Sequence, residues 1–594
     1  MRRRCVVLVG VAMATAMGMG MGMAACGSGT EGPGRSAGSD RADRAEAGED
    51  GGGGGCDPAV ERALGAWGEA GFSGSIAIAT DGRPDCVAAY GEADRAEDVP
   101  NTPDTVFSIG SIAKAFTAAA VFHLVDDSQL ALDARAGDLV PGLTGPAAGA
   151  TVEQLLLHTS GLTGSHGQDH QPLDHDEAVA AIGRLEQAFP PGTGFLYSNA
   201  GYTLLALIVE QASGRPFRDY VADEILPLPG GRTAGGFWDG EPAAPGPRAV
   251  GYLDDGPTAE RGDFAGPHWA LAGNGDLAMT MGDLAAWTDA LFSGEIVSPA
   301  SAAVIEQPGF DQGDGTGEAP GWVTVAPEVY GERLLTTAGG GGDIGHDAVV
   351  VWIPERRQAI ALASNTPDVT AEQLLDAVGP ALLAGDPLPT PEPVGDVDPS
   401  EAAAVVGSYE LPTGGAFTVS AAAGDRLAVA ARGADAVAAL FPLPTDAEAD
   451  GDVGGADVHR HEEAVRALLA GETRQGREER AAVESALGGL DDVTLAGTVV
   501  EHGELRTYVT LASGSDTTLA WYSLDDEGGV AAAELAADPP TLHLGTIPAD
   551  DARRFRPDDP TGTGPDVTVS FGDGQLTVAS ASSPARPITA RRAP

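Results

Sequence analysis

The chain has 594 residues, enough for about two or three domains, and its formal net charge at pH 7 is -53. Such an acidic chain argues against nucleic-acid binding and against attraction to anionic lipid. The four cysteines include no Cys-x-x-Cys pair, which argues against a thiolate zinc site.

The N-terminus has the pattern of an export signal. Three arginines at positions 2–4 precede a short apolar segment over 5–23. The segment ends Met23-Ala24-Ala25-Cys26, which resembles a bacterial lipobox, in which the cysteine is lipidated. We therefore predict that 1–26 is a lipoprotein signal and that Cys26 anchors an extracytoplasmic protein to the cell membrane, with simple secretion as the alternative. Residues 27–55, rich in glycine and acidic side chains, are predicted to be a flexible tether.

The first regular elements follow this tether. An Ala/Leu-rich helix is predicted over about 57–70, and a hairpin joins strands over 74–80 and 85–90 through a turn at Asp81 and Gly82. Outside the cytoplasm, Cys56 and Cys86 could form a disulfide, and two separate thiols are the alternative.

The next segment contains Lys114, the single lysine beside 33 arginines in the chain. A site that needs an ammonium group able to release its proton cannot use arginine, so this lysine points to chemistry. Ser111 lies three residues earlier, at the start of an apolar helical run, so both side chains share one helix face. A nucleophile and its base need this proximity. The alternative is a surface lysine beside a serine that caps the helix.

The middle of the chain alternates loops and helices. A short helix over 151–162 precedes a loop with His166, Asp169, His170, Asp174 and His175. These side chains could bind a metal, but solvated loop histidines are the favoured interpretation, and no metal is predicted. A turn over 190–201 places Tyr197 and Asn199 before an apolar helix over 202–211. Further helices are predicted over about 282–293 and 370–384, and an edge hairpin over 335–365.

The C-terminal third has a different pattern. Residues 386–399 form a proline-rich acidic linker. Short alternating runs separated by glycine turns then predict a β-rich accessory domain over 400–594, with a polar helical insertion at about 457–488. We find no catalytic pattern in it, so a partner-binding or substrate-gating role is the hypothesis for this domain.

Several blocks of 56–385, in a fixed order, resemble the serine β-lactamase and DD-peptidase superfamily. The class C-like branch, with its D-alanyl-D-alanine carboxypeptidases and esterases, is the most similar. The blocks are Ser111-Ile112-Ala113-Lys114, Leu156-Leu157-His158-Thr159-Ser160-Gly161-Leu162, Tyr197-Ser198-Asn199 and Gly273-Asn274-Gly275. This resemblance implies an α/β (α+β) β-lactamase/transpeptidase-like sandwich with an all-α lobe.

The resemblance also implies residue roles. Ser111 would be the nucleophile and Lys114 would help to activate it. Tyr197 would be the base or its partner, with a phenol pKa lowered by the nearby ammonium, and which of the two takes the proton stays open. Asn199 would hydrogen-bond the substrate amide and fix Lys114. The oxyanion would lie on backbone N–H groups from among Ser111, Gly340, Gly341 and Gly342.

One family feature is missing. Gly339 occupies the position where the family carries a lysine or histidine that reads a substrate carboxylate, and His346 or Arg333 could substitute. We therefore predict an extracytoplasmic serine hydrolase that acts without a cofactor on a small ester, amide or D-amino-acid peptide, such as one derived from the cell wall. The alternative is a catalytically degenerate lipoprotein that binds peptidoglycan or peptide.

Overall fold

In the computed structural model, the described residues are 55–253, 256–257, 264–313, 315–341, 344–391, 394–422, 425–442, 455–501, 504–524, 529–547, 553–562, 564–580 and 587–593. The predicted signal, the lipidation site at Cys26 and nearly all of the tether lie outside them. Among these described residues, no helix has the length and apolar character needed to cross a membrane.

The described residues of the N-terminal part, up to residue 385, form eleven α-helices and seventeen strands. Its helices are α1 (Pro58–Glu69), α2 (Ala113–Asp126), α3 (Ala136–Leu139), α4 (Val152–Leu156), α5 (His175–Ile182), α6 (Asn199–Ser213), α7 (Phe217–Tyr220), α8 (Met281–Phe292), α9 (Pro299–Ile305), α10 (Pro327–Tyr330) and α11 (Ala371–Ala384). Its strands are β1 (Gly74–Thr80), β2 (Arg83–Tyr90), β3 (Glu92–Asp94), β4 (Val99–Pro100), β5 (Phe107–Ser108), β6 (Leu162–Thr163), β7 (Glu186–Gln187), β8 (Gly236–Phe237), β9 (Tyr252–Leu253), β10 (Gly256–Pro257), β11 (Leu277–Met279), β12 (Phe310–Asp311), β13 (Thr316–Ala319), β14 (Trp322–Val325), β15 (Leu334–Gly341), β16 (His346–Ile353) and β17 (Gln358–Ser364).

An eight-stranded antiparallel sheet, in the order β12-β13-β14-β15-β16-β17-β1-β2, forms the centre of this part. Strand β1 is buried at nearly every position because the sheet is covered on both faces. On one face it packs with α1 and α11, and on the other with α2 and α8. The predicted helices and the sandwich fold are confirmed, but the edge hairpin over 335–365 is wrong. That segment forms three inner strands, because the short strands β12–β14 extend the sheet beyond β15.

A helical lobe lies between β5 and β8. Its central helix α2 has eleven buried residues over one stretch from Ala113 to Leu124, and it packs against α6. A helix that is apolar on all sides is stable only inside a protein, so the first turn of α2 is held rigidly beside the sheet.

The C-terminal region contains a closed barrel of eight strands and an inserted layer of helices and strands. The barrel strands are β18 (Gly407–Glu410), β19 (Ala416–Ala422), β20 (Arg426–Arg432), β25 (Thr541–Thr546), β26 (Arg554–Pro557), β27 (Val567–Gly572), β28 (Gln575–Ser580) and β29 (Ile588–Arg592). The other elements are α12 (Pro399–Val405), α13 (Ala434–Leu440), α14 (Gly455–Ala470), α15 (Arg474–Leu487), β21 (Asp492–Glu501), β22 (Glu504–Ser513), β23 (Asp516–Leu524) and β24 (Val530–Leu535).

The β-rich character predicted for this region is confirmed, and the helices α14 and α15 occupy the segment predicted to be helical. The insertion is larger than expected, since it also includes the four-stranded sheet β21–β24. Apolar side chains such as Phe417, Val429 and Phe555 fill the barrel interior, so the barrel is a packed core.

Candidate active site

Ser111 lies in a tight turn between sheet and helix. Strand β5 pairs with β11, and the chain then passes through Gly110, whose φ is +47°, into a short 3-10 turn over Gly110–Ile112 that continues as α2. The serine is therefore presented just before the helix, as its predicted position at the start of the apolar helical run implies.

Strand β15 passes directly against this turn. A Cβ atom on Gly339 would lie 2.3 Å from the Ser111 nitrogen and 2.2 Å from the Ile109 oxygen. Real Cβ atoms do not approach backbone so closely, so position 339 cannot carry a side chain. The glycine that the sequence presents as a lost cation is thus needed for packing of the strand against the nucleophile.

Lys114 is buried, and its Nζ donates hydrogen bonds to Ser111 Oγ at 2.9 Å and to the Asn274 carbonyl at 3.1 Å. Burial lowers the pKa of Lys114 to about 7, although the charges of Asp169 and Glu318 oppose the change. A lysine with this pKa is partly a neutral amine at physiological pH, so it can accept the Ser111 proton.

The Asn274 carbonyl owes its position to a buried polar network. The Asn274 side chain donates to Thr203 Oγ1 and to the Ala270 carbonyl, both at 2.8 Å. Thr117 donates to the neighbouring Gly273 carbonyl at 2.8 Å. Sequence reasoning singled out the Gly-Asn-Gly block but gave it no role, because a backbone oxygen leaves no residue-type signal at its position.

Tyr197 approaches the nucleophile from the other side, and its hydroxyl donates to Ser111 Oγ at 2.7 Å. The tyrosine precedes α6, whose first turn is capped by the Ser198 hydroxyl accepting from the Gly201 N–H. Burial raises the pKa of Tyr197, so the expected lowering by the ammonium is wrong and the group stays a phenol. Loss of water outweighs the hydrogen bond with Ser111, which acts in the opposite direction.

Asn199 is the first residue of α6 and is exposed. Its predicted contact with Lys114 is absent from the hydrogen bonds of the described residues, and the Asn274 carbonyl fixes the lysine instead. The proposed contact of Asn199 with a substrate amide stays a prediction.

The glycines predicted to bind the oxyanion are only partly described by the structure. Gly340 and Gly341 lie in β15, opposite Asp347 and His346, while Gly342 lies outside the described residues. Their role with Ser111 in binding an oxyanion stays a prediction.

Neither His346 nor Arg333 can take the place of the missing cation. His346 is buried between Phe107 and Trp238, and burial lowers its pKa to about 3, so it is neutral. Arg333 is already engaged with Glu306, through hydrogen bonding to its carbonyl at 2.9 Å and an ion pair at 3.4 Å.

The histidines of the 166–175 loop are dispersed. His166 contacts the Trp269 carbonyl at 3.2 Å, and the His170 ring stacks on Phe264. Within the described ranges, no group of three or more histidine, cysteine or acidic side chains is arranged to hold a metal.

Cys56 and Cys86 are joined in a disulfide, so the predicted pairing is confirmed over two separate thiols. It links Cys56, which lies just before the N-cap residue of α1, to strand β2.

Comparison with known proteins places this site in a family context. The family model described as Beta-lactamase matches residues 61–383, which is more than half of the chain. The chain is 30% identical over 262 residues to the putative penicillin-binding protein PbpX of Bacillus subtilis (strain 168), covering 44% of this chain and 64% of PbpX. It is 34% identical over 193 residues to esterase EstB of Burkholderia gladioli, covering 29% of this chain and 48% of EstB. Both matches thus span less than two thirds of the relative.

One solved structure resembles most of the chain. The octameric penicillin-binding protein homologue from Pyrococcus abyssi has a TM-score of 0.51 and 19% identity, covering 90% of this chain and 99% of that one. At this identity, the likeness shows the fold alone.

Proposed function

Since the chain belongs to the beta-lactamase family, we propose that it is an extracytoplasmic serine hydrolase that acts through an acyl-enzyme on Ser111. The observation that carries this proposal is the pair of hydrogen bonds to one atom. Ser111 Oγ accepts one hydrogen bond from Lys114 Nζ at 2.9 Å and another from the Tyr197 hydroxyl at 2.7 Å. A nucleophile in contact with a base and a second proton donor is the arrangement that covalent catalysis requires.

Acylation begins with the neutral form of Lys114. The Ser111 hydroxyl then donates its proton to Nζ while Oγ bonds to the substrate carbonyl carbon, and the carbonyl electron pair moves to oxygen. The Asn274 carbonyl holds the resulting ammonium in place. Because burial lowers the pKa of Lys114 to about 7 and raises that of Tyr197, we assign the base to Lys114.

The oxyanion lies on the Ser111 N–H and on a backbone N–H at the end of β15, next to the Gly110–Ile112 turn. When the carbonyl re-forms, the bond to the leaving group breaks. The leaving atom takes a proton from the Tyr197 phenol, which recovers one from Lys114. Water then attacks the acyl-enzyme by the same steps in reverse, which releases the acid and restores Ser111.

The substrate class follows from the space beside the nucleophile. Position 339 has no room for a cationic side chain, His346 is neutral, and the charge of Arg333 is paired with Glu306. We therefore propose an ester or amide whose binding does not depend on a carboxylate. The likeness to EstB, which is named as an esterase, supports this choice.

We also propose that the protein is a lipoprotein attached to the outer face of the cell membrane through Cys26. The arginines at 2–4, the apolar segment 5–23 and the lipobox-like end support this location. The Cys56–Cys86 disulfide supports an oxidising compartment.

The test is the intact mass of the protein after exposure to a fluorophosphonate and, separately, to a penicillin, with Ser111→Ala as the control. We expect a fluorophosphonate adduct that the control lacks and no stable penicillin adduct. Adducts with both would show that a β-lactam carboxylate is accepted without a cation at 339. No adduct with either would refute the hydrolase.

The alternative of a degenerate binding protein has lost its main motivation. It rested on Gly339 as a missing functional residue, and this glycine is required by its contact with the Ser111 turn. A binding protein has no need for a serine that is hydrogen-bonded by both a lysine and a tyrosine.

A further inference from the structure

A buried carboxyl group, Glu318, lies behind the catalytic residues and has no role in the steps above. Its side chain on β13 is 7% exposed. The following turn is pressed against α2, since a Cβ on Gly321, whose φ is +77°, would lie 3.0 Å from the Lys114 carbonyl oxygen. The glycine permits this approach, and it brings the acidic strand next to the first turn of α2.

The carboxyl group of Glu318 faces a histidine. Its Oε2 accepts from Gln312 Nε2 at 3.3 Å, and its Oε1 lies 3.9 Å from His158 Nε2. The Ser198 N–H donates to His158 Nδ1 at 3.0 Å, so that nitrogen is unprotonated. Burial lowers the pKa of His158, and the neutral ring therefore carries its hydrogen on Nε2, toward Glu318.

His158 in turn holds the tyrosine that contacts the nucleophile. Its carbonyl accepts from the Leu196 N–H at 2.9 Å, and its ring accepts from the Ser198 N–H, so it binds the backbone on both sides of Tyr197. The centroids of the His158 and Tyr197 rings lie 4.6 Å apart. Glu318, His158, Tyr197 and Ser111 thus form one continuous series of contacts.

Lys114 lies at the end of the same series, with Nζ 4.7 Å from the centre of the Tyr197 ring. The groups around it are neutral or acidic: Ser111, Tyr197, Tyr202, His158 and the Asn274 carbonyl, together with the carboxylates Glu318 and Asp169. Asp169 is exposed on a loop, so water and salt screen its charge, whereas Glu318 is buried. Burial raises the pKa of Glu318, which favours the protonated acid, whereas the hydrogen bond from Gln312 and the ammonium of Lys114 favour the carboxylate.

We propose that Glu318 is a positioning residue for the reaction at Ser111, whose carboxylate is the buried counter-charge of the Lys114 ammonium and orients His158 behind Tyr197. This inference rests on the proposed function. When the Ser111 proton passes to Lys114, the new positive charge is inside the protein, where a fixed negative charge stabilises it. The same charge sets the pH below which Lys114 is no longer available as a base.

The test compares Glu318→Gln with the unchanged chain in the rate of fluorophosphonate labelling from pH 5 to pH 9, at high salt to screen Asp169. Without the negative charge, Lys114 releases its proton more readily. The rising limb of the profile should therefore move to lower pH by about 1 unit, and Glu318→Asp should return it toward the original position. Glu306→Gln is the matched control, because it removes a partly buried carboxylate that pairs with Arg333.

A second readout measures the lysine directly. Because Lys114 is the single lysine of the chain, labelling with [13Cε]lysine gives one NMR signal for the folded protein, and its titration should move with the labelling profile. The inference would be overturned if neither the rising limb of the labelling profile nor the Lys114 titration moved in Glu318→Gln. It would also be overturned if both moved by the same amount in Glu306→Gln. If the unchanged chain is not labelled at all, the hydrolase proposal fails, while the lysine titration still tests the charge of Glu318.

If Glu318→Gln does not fold, Gln312→Ala replaces it. Gln312 is exposed and donates to the carboxylate, so its loss makes the negative charge less favourable. The rising limb of the labelling profile should then move to lower pH by a fraction of a pH unit. A limb that stays in place would again contradict the proposed role of Glu318.

Discussion

Replacing Lys114 with Met should stabilise the hydrolase fold in acid and lose this effect in alkali. Burial lowers the pKa of Lys114 from 10.5 to about 7, so the fold opposes the charged form. Between these two values, the unfolded chain holds a proton on Lys114 that the folded chain has released. Stability of the lysine protein therefore rises with pH across this window, whereas the methionine protein lacks this contribution.

The magnitude follows from the size of the pKa change. A difference of about 3.5 units corresponds to about 5 kcal/mol across the full window. Between pH 6 and pH 9.5 the accessible part is about 3 kcal/mol. The variant also loses the hydrogen bonds to Ser111 and Asn274, at about 1 kcal/mol each, but that loss is nearly the same at both pH values.

The assay is urea unfolding of both proteins at pH 6 and pH 9.5, followed by tryptophan fluorescence. Six of the seven tryptophans, all but Trp521, lie within residues 61–383, so the signal reports mainly on the hydrolase fold. The advantage of the variant should shrink by about 3 kcal/mol at the higher pH. If the difference in unfolding free energy between the two proteins were the same at pH 6 and pH 9.5, a lowered pKa for Lys114 would be refuted, and the assignment of the base with it.

Three further predictions concern neighbouring contacts. Tyr197→Phe keeps the ring but removes the hydroxyl that donates to Ser111, so fluorophosphonate labelling should fall on the order of 100-fold while the melting temperature is unchanged. An unchanged rate would exclude Tyr197 from proton transfer. Gly339→Ala should abolish labelling, because its Cβ would lie 2.3 Å from the Ser111 nitrogen; normal labelling would show that β15 can move away. Replacing Cys56 and Cys86 with serine should reduce unfolding stability by about 3 to 4 kcal/mol, as expected for a link across 30 residues, and calorimetry would detect it.

The nucleophile and its two partners could be predicted from sequence because each carries a residue-type signal. Ser111 and Lys114 are three residues apart on one helix start, and Tyr197 lies in a recognisable block before α6. Their pKa values could not be predicted, because burial depends on the packing of distant segments around them. The direction predicted for the Tyr197 pKa is wrong for this reason, since loss of water on burial is the main cause of its rise.

Contacts that depend on backbone atoms or on strands brought together by the sheet could not be predicted from the sequence. The Asn274 carbonyl anchors Lys114, yet any residue type has a carbonyl. Glu318 reaches the site only because β13 and β14 extend the sheet, and strands of four residues give too little alternation to detect. Gly339 was interpreted as a lost charge, because only the packing shows that its missing side chain is the requirement.

The closed barrel has a consequence for how the protein behaves among its own copies. Its first strand pairs with its last, through Tyr409 and Arg592, so its backbone hydrogen bonds are satisfied around the ring. A barrel that closes in this way offers no strand edge to which a neighbouring molecule could add a strand. A high local concentration of copies would bring such edges together if they existed. The barrel can therefore be displayed at high density without seeding fibrous aggregation from its own strands.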